Sequence, residues 1–147
     1  MKNRIAIVFI ISVLPVVSLF AQTDEELIKQ VIRKSYIEGI HNLGDPAEID
    51  KGFHPSFTLL SMAENGVTVN LLPIYSWKEL TRISKEKSPQ GPAVKTECDF
   101  LLIDITGSAA MAKIQLRREG KLIFTDYLNL YKFKDGWKIV GKVFHRH

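Results

Sequence analysis

The run Phe124-Thr-Asp-Tyr-Leu-Asn-Leu-Tyr-Lys-Phe133 is followed, after Lys134, Asp135 and Gly136, by the run Trp137-Lys-Ile-Val-Gly-Lys-Val-Phe144. Both runs are rich in the aromatic and β-branched residues that favour extended strands. The dipeptide Asp135-Gly136 is a strong hairpin signal, because both central residues of the tightest turns need a positive φ. The end of the chain therefore predicts a long β-hairpin that turns on Asp135 and Gly136.

Two more strand-like runs, residues 95–105 and 108–117, precede this hairpin, whose strands we place at 122–133 and 137–145. The turns between the runs fall at Thr106-Gly107 and Glu119-Gly120. Such short connections allow only antiparallel neighbours, so the sequence predicts a four-stranded meander.

Helical patterns dominate the region before the meander. Thr23 and Glu26 match a capping box, and apolar residues then recur at spacings of three and four up to about residue 43, before the stop at Gly44. A short helical turn over 47–51, a small hairpin of 57–62 with 67–72, and a helix over 77–85 opened by a capping box at Ser76 and Glu79 follow. The pattern predicts an α+β domain in which a curved sheet covers the first helix.

Residues 1–21 are typical of a secretory signal peptide. Lys2 and Arg4 precede a nearly unbroken apolar run, and Ala21 lies at the small position before the predicted cleavage site. A retained membrane anchor is the alternative, but the apolar run contains Pro15 and is shorter than the ~20 residues that a span needs. We therefore expect an exported protein, periplasmic or secreted, with one domain at 22–147 and no membrane association after cleavage.

The charge of the mature chain is nearly balanced. Without Lys2 and Arg4 it has 18 basic and 16 acidic residues, a formal charge of +2, and the two signs are interspersed. Nucleic-acid binding needs basic residues clustered on one face, so we expect no nucleic-acid partner. The chain has one cysteine, Cys98, for which we expect a buried, inert thiol.

Several motifs arrive in the order of a known family. They are Tyr36-x-x-Gly39, Gly44-Asp45, Phe53-His54-Pro55-x-Phe57, Pro73-x-x-x-Trp77, and the two strands of the final hairpin. In this order the chain resembles the putative lumazine-binding group of the nuclear transport factor 2-like superfamily (SnoaL-like, cystatin-like fold). The resemblance implies an NTF2-like cone, in which a curved, mainly antiparallel sheet wraps a long N-terminal helix and leaves a cavity at its open end. The superfamily includes dehydratases, isomerases, cyclases and non-catalytic binding domains, so the fold alone does not give the activity.

Asp126 is the first candidate for a site residue. By the alternation of a strand it shares one face with Phe124, Leu128 and Leu130, so its carboxylate is predicted on an apolar row. A carboxylate there needs a partner or a proton. It is either a pocket group that acts as a general base or ligand acceptor, or half of a structural pair, for example with Lys142.

Tyr36, Trp77 and His54 are the other candidates for the ligand pocket. Tyr36, at the edge of the apolar stripe of the first helix, can point its hydroxyl into a cavity, or it is simply core. Trp77 can form a wall against a planar ligand or serve as a hydrophobic lid. His54 is a candidate acid or base by residue type, although an exposed loop histidine is the commoner case.

Tyr127, Asn129 and Tyr131 occupy the opposite face of the same strand. This row is too aromatic for an ordinary solvated surface and too polar for a closed core. We therefore predict that it forms the face of a homodimer.

Three functions remain open from the sequence. The one we favour is non-catalytic binding of a small apolar or heterocyclic ligand in the cone pocket. The second is a cofactor-independent enzyme of the dehydratase or isomerase type, with Asp126 and either Tyr36 or His54 as acid and base. The third is a dimeric interaction or scaffold domain. No cofactor and no metal site is expected, since His145 and His147 lack a convincing third ligand.

Overall fold

A computed structural model describes residues 22–147 of the chain, and the predicted signal peptide lies outside the described residues. The helical elements are α1 (Asp24–Val31), continued by a π-helix (Ile32–His41), then α2 (Pro46–Gly52) and α3 (Ile74–Lys87). The strands are β1 (Phe53–Met62), β2 (Val69–Pro73), β3 (Glu97–Thr106), β4 (Ala109–Arg118), β5 (Lys121–Phe133) and β6 (Gly136–Arg146). Within residues 22–147, no helix has the length and apolar character that crossing a bilayer requires.

The six strands form one curved sheet in the order β2-β1-β6-β5-β4-β3. The predicted meander of β3 to β6 is confirmed, and β1 adds to it by pairing parallel to β6. The predicted α+β class is confirmed as well. The core lies between the concave face of the sheet and the N-terminal helix, where Ile28, Ile32 and Tyr36 pack with Ile114, Leu116, Leu128, Leu130 and Ile139.

The N-terminal helix changes its winding halfway. The sequence predicts one continuous α-helix, but from Ile32 to His41 the helix is π-helical, and the Asn42 amide donates to the Ile37 carbonyl five residues back at 2.9 Å. Residues five apart lie about 140° apart around an α-helix, whereas the wider π turn brings them onto one face. The change of winding therefore sets Tyr36 above His41.

A β-bulge in β6 decides which of its side chains face the core. Leu130 pairs with Ile139 and Asn129 pairs with Gly141, so Val140 is an extra residue on β6. Without it, strict alternation from Ile139 would point Lys142 away from the core. With it, Lys142 lies on the inner face and is almost completely buried.

Two local predictions about turns and caps are wrong. At the hairpin tip only Gly136 has a positive φ, 119°, and it pairs with Phe133, so Asp135 does not take the left-handed conformation expected of it. Helix α3 begins at Ile74, with Pro73 at its N-cap and no side-chain cap, so Ser76 lies inside the helix. Pro73 has a fixed φ of −63° and no side-chain acceptor, so the first turn of α3 begins without a side-chain cap.

Candidate functional site

Three buried side chains meet in the core between the N-terminal helix and the last two strands. The Tyr36 hydroxyl donates to Asp126 Oδ2 at 2.6 Å, and Lys142 Nζ lies 3.0 Å from the same oxygen. Lys142 also hydrogen-bonds to the Tyr36 hydroxyl. The exposed fraction is 0% for Tyr36 and Asp126 and 4% for Lys142. Of the two interpretations of Asp126, the structure thus shows the pair with Lys142, and it adds the tyrosine to that pair.

Aromatic rings surround the Lys142 ammonium. Its Nζ lies 4.8 Å from the centroids of Tyr36 and Phe144 and less than 6 Å from those of Trp77 and Phe124. Burial lowers the pKa of Lys142, while the Asp126 carboxylate opposes that shift. The ring faces and the carboxylate together stabilise a cation that would be very costly in a purely aliphatic core.

The Tyr36 phenol is held in its neutral form. Burial, and then the negative charge of Asp126, raise the pKa of Tyr36 well above its usual value. The phenol therefore keeps its proton and acts as a hydrogen-bond donor to the carboxylate.

Two further rings connect this triad (Tyr36, Asp126 and Lys142) to a surface cleft. The ring centroid of Tyr36 lies 4.7 Å from that of His41 and 5.8 Å from that of Trp77, and all three rings meet edge to face. His41 and Trp77 also line a cleft of about 180 Å³ between the end of the π-helix, helix α3 and the end of β4. The remaining lining residues are Ile40, Leu43, Leu80, Thr81, Ser84 and Arg118.

Sequence reasoning missed His41. Its position five residues after Tyr36 breaks the α-helical spacing that was used to find the inner face, and only the π-helix reveals that it adjoins Tyr36. Burial, followed by the positive charges of Lys142 and Arg118, lowers the pKa of His41 to about 3. The imidazole is therefore neutral near pH 7 and offers one donor and one acceptor.

Two buried polar atoms of this cluster have unused hydrogen-bonding capacity. Within residues 22–147, neither His41 Nε2 nor Asp126 Oδ1 has a hydrogen-bond partner. Such atoms are rare in folded proteins, where nearly all buried polar groups are bonded to protein or water. Asp126 Oδ1 belongs to the triad, and His41 Nε2 belongs to a side chain that connects the triad with the cleft.

His54 is not brought to this cluster. Its ring stacks on Phe133 at 4.7 Å, and its Nδ1 is hydrogen-bonded to Ser56, near the tip of the β5–β6 hairpin. Phe133 is seven residues from Asp126 along β5, which is about 23 Å in an extended strand. Of the four predicted pocket residues, the structure thus brings Tyr36, Asp126 and Trp77 together and leaves His54 apart.

A larger cavity of about 670 Å³ lies between α2 and α3. It is lined by Phe53, Ile74 and Lys78, among others, and by none of the four predicted pocket residues. The ammonium of Lys78 is paired there with Asp50, and the guanidinium of Arg82 with Glu79. Two of its three cations are therefore paired with carboxylates, and the third, Lys85, donates to the Gly44 carbonyl.

Metal chemistry finds no support among the described side chains. Within residues 22–147, no group of three or more His, Cys, Asp or Glu residues is placed to hold a metal ion. Burial raises the pKa of the Cys98 thiol to about 12, so this cysteine is a poor nucleophile near neutral pH.

Comparison with known proteins gives a family and a fold. The sequence model of the family described as Putative lumazine-binding matches residues 23–145. No curated protein matches the chain at a significant level.

Solved structures with the same fold are numerous. An NTF2-like protein of unknown function from Shewanella baltica OS155 is 23% identical with a TM-score of 0.65, over 84% of this chain and 94% of that one. A second, from Methylobacillus flagellatus KT, is 24% identical with a TM-score of 0.62, over 88% of this chain and 96% of that one. At such identities the likeness shows the NTF2-like fold alone.

The buried triad predicts how substitutions in the core change the free energy of unfolding. Lys142→Met leaves the Asp126 carboxylate buried without its cation, so we expect the free energy of unfolding in urea to fall by about 3–5 kcal/mol. Adding Asp126→Asn removes the orphaned charge, and the double variant should lose about 1–3 kcal/mol less than the sum of the two single losses. Lys113→Met, on the outer face, is the control and should cost about 0.5 kcal/mol. Strict additivity of the two core substitutions would contradict a coupled pair.

The lowered pKa of His41 predicts how the stability of the protein depends on pH. Its folded pKa of about 3 lies below the unfolded value of about 6.5, so the unfolded state binds the extra proton between these limits. Stability should therefore fall as the pH drops from 6.5 towards 3, and His41→Gln should remove about 2 kcal/mol of that fall between pH 7 and 4.5. Urea unfolding at both pH values measures it, with His54→Gln as the matched control. If the wild-type protein and His41→Gln lose the same free energy of unfolding between the two pH values, His41 is not responsible for the loss.

Proposed function

This chain belongs to the Putative lumazine-binding family, and we propose that it is a non-catalytic domain that binds a small apolar or heterocyclic molecule in the cleft beside His41 and Trp77. The observation that carries the proposal is the unpartnered Nε2 of His41, a residue that lines the cleft together with the half-buried Trp77. Small-molecule sites combine apolar and aromatic walls with a few convergent polar groups, and this cluster has that composition.

The triad lies behind the proposed site. Tyr36 and Lys142 both engage Oδ2 of Asp126, and no side chain within residues 22–147 engages Oδ1. The rings of His41 and Trp77 pack against Tyr36 and also line the cleft, so a ligand in the cleft lies against these two rings. Heterocycles with ring N–H groups, such as the lumazines of the family name, carry a donor for His41 Nε2 when that nitrogen is the acceptor of the neutral imidazole.

An acid-base enzyme is the second candidate, and one contact favours it. Tyr36 and Asp126, which the sequence allowed as an acid and a base, are joined by a hydrogen bond of 2.6 Å. In such a reaction Asp126 Oδ1 would accept the proton of the substrate. Against this role, the carboxylate is fully buried and already engaged by the Lys142 ammonium and the Tyr36 hydroxyl.

Lumazine itself is a suitable probe of the binding function. We expect it to bind by isothermal titration calorimetry, and Trp77→Leu to weaken binding about ten-fold, because the stacking wall is lost. Tyr75→Leu, an exposed aromatic on the same helix outside the cleft, should leave the affinity unchanged. Lumazine recovered unaltered after prolonged incubation supports binding alone, whereas conversion supports the enzyme. Equal affinity of Trp77→Leu and the wild-type protein would place binding elsewhere.

We also propose that the protein is exported and acts as a homodimer. The N-terminal pattern at 1–21 supports export to the periplasm or the medium. On the convex face of the sheet, Tyr127 is 37% and Tyr131 51% exposed, with Asn129 exposed between them. Across the neighbouring strands, exposed Val143 pairs with Tyr127 on one side, and on the other side Lys113 lies between Tyr127 and exposed Leu102. A face of this kind suits a twofold contact between two sheets, and it is also what a scaffold domain would use.

Light scattering of the mature protein tests the dimer. At tens of micromolar we expect the mass of two chains, and Tyr127→Asp should yield one chain, because a charge is then buried at the centre of the contact. Tyr75→Asp, on helix α3, is the matched control and should remain dimeric. A wild-type protein that is monomeric at this concentration would exclude the proposed contact.

A further inference from the structure

The cleft beside His41 and Trp77 contains a cationic side chain that has no role in the functions proposed above. Of the described residues that line the cleft, only Arg118 carries a charge near neutral pH, since His41 is neutral there. Arg118 ends β4, and by strand alternation it follows buried Leu116 on the inner side of the sheet.

A rigid frame holds the Arg118 guanidinium at the edge of the cleft. Its Nε donates to Thr96 Oγ1 at 3.0 Å. Thr96 is buried and is fixed by Asn42, whose Oδ1 accepts from the Thr96 amide at 2.8 Å and whose Nδ2 donates to the Thr96 carbonyl at 3.1 Å. Because Asn42 directly follows His41, the cation and the imidazole are positioned by the same end of the N-terminal helix.

The terminal nitrogens of Arg118 are available for a ligand. Within residues 22–147, no carboxylate lies within 4.0 Å of this guanidinium, and its one side-chain hydrogen bond uses Nε. Its neighbour Arg117 shows the contrast, since it pairs with Asp99 at 2.9 Å and also donates to Gln115 and Gly120. A planar guanidinium with free terminal N–H groups matches the two oxygens of a carboxylate.

We propose that this cleft selects planar aromatic acids, with the ring of the ligand against Trp77 and its anionic oxygens on the terminal nitrogens of Arg118. The inference rests on the proposed function, because it specifies the ligand class of the same cleft. The remaining walls are apolar or neutral, so they add no competing charge.

The larger cavity between α2 and α3 does not offer the same chemistry. Its Lys78 and Arg82 already have carboxylate partners, and Lys85 donates to the Gly44 carbonyl at 2.6 Å. An anion there would compete with carboxylates for two of the three cations and with a backbone carbonyl for the third, whereas the terminal nitrogens of Arg118 have no side-chain partner within residues 22–147.

A matched pair of probes tests the inference. Quinoline-2-carboxylate and quinoline-2-carboxamide share a flat ring and differ in the charge of one group. By isothermal titration calorimetry at low salt, we expect the wild-type protein to bind the carboxylate about ten-fold or more tightly than the carboxamide. Arg118→Gln should bring the ratio of the two affinities to about one, and Arg118→Lys should leave an intermediate ratio. Arg117→Gln is the matched control on the same strand and should keep the wild-type ratio.

The outcomes separate this inference from the function on which it rests. Equal affinity of the wild-type protein for both probes, or discrimination that survives Arg118→Gln, overturns the selection of acids and leaves binding in the cleft standing. If lumazine binds and neither quinoline does, the inference again fails alone. If none of the three compounds binds, the proposed function fails with it. Because Arg118 is exposed, the substitutions should fold, and unchanged thermal melting will show that they do.

Discussion

The buried contact between Lys142, Asp126 and Tyr36 is the constraint on which the rest of this structure depends. A carboxylate and an ammonium in the core are tolerated when they face each other and gain further hydrogen bonds, which the Tyr36 hydroxyl supplies here to both. The N-terminal helix, β5 and β6 must therefore meet in one register, because a shift of one strand by one residue would leave a buried charge without its partner. The contact joins residue 36 to residues 126 and 142, and so connects the two ends of the described chain.

Two departures from regular structure make that contact possible. The bulge at Val140 turns the Lys142 side chain inward, and the π-helix from Ile32 to His41 places a second polar ring beside Tyr36. Each irregularity interrupts the regular backbone hydrogen bonding locally, and each positions a polar side chain beside Tyr36. Two independent distortions that converge on one cluster are more easily explained by a site than by packing, since an apolar core would need neither.

These same irregularities mark the limit of prediction from sequence. The strands of the meander, the inward face of Asp126 and the outward face of Tyr127 follow from a period of two and from turn residues, and they are found in the structure. His41 escaped notice because a period of 3.6 places it off the inner face, and the unpaired state of Arg118 depends on contacts with Thr96 that no local pattern contains. His54 was a candidate on chemistry alone, and its place near the hairpin tip is set by the parallel pairing of β1 with β6, a long-range feature.

The filled centre of the cone also bears on the kind of activity that the fold supports here. The Lys142 ammonium occupies the space against four aromatic rings in the centre of the cone, so the site that we propose lies further out, at His41, Trp77 and Arg118. A reaction at Asp126 would require a substrate to reach a fully buried carboxylate, and that carboxylate to accept a proton while it is paired with a cation. Binding in the cleft requires neither, because the aromatic wall and the free guanidinium already face solvent. Burial and pairing of Asp126 thus favour binding in the cleft over a reaction at the carboxylate.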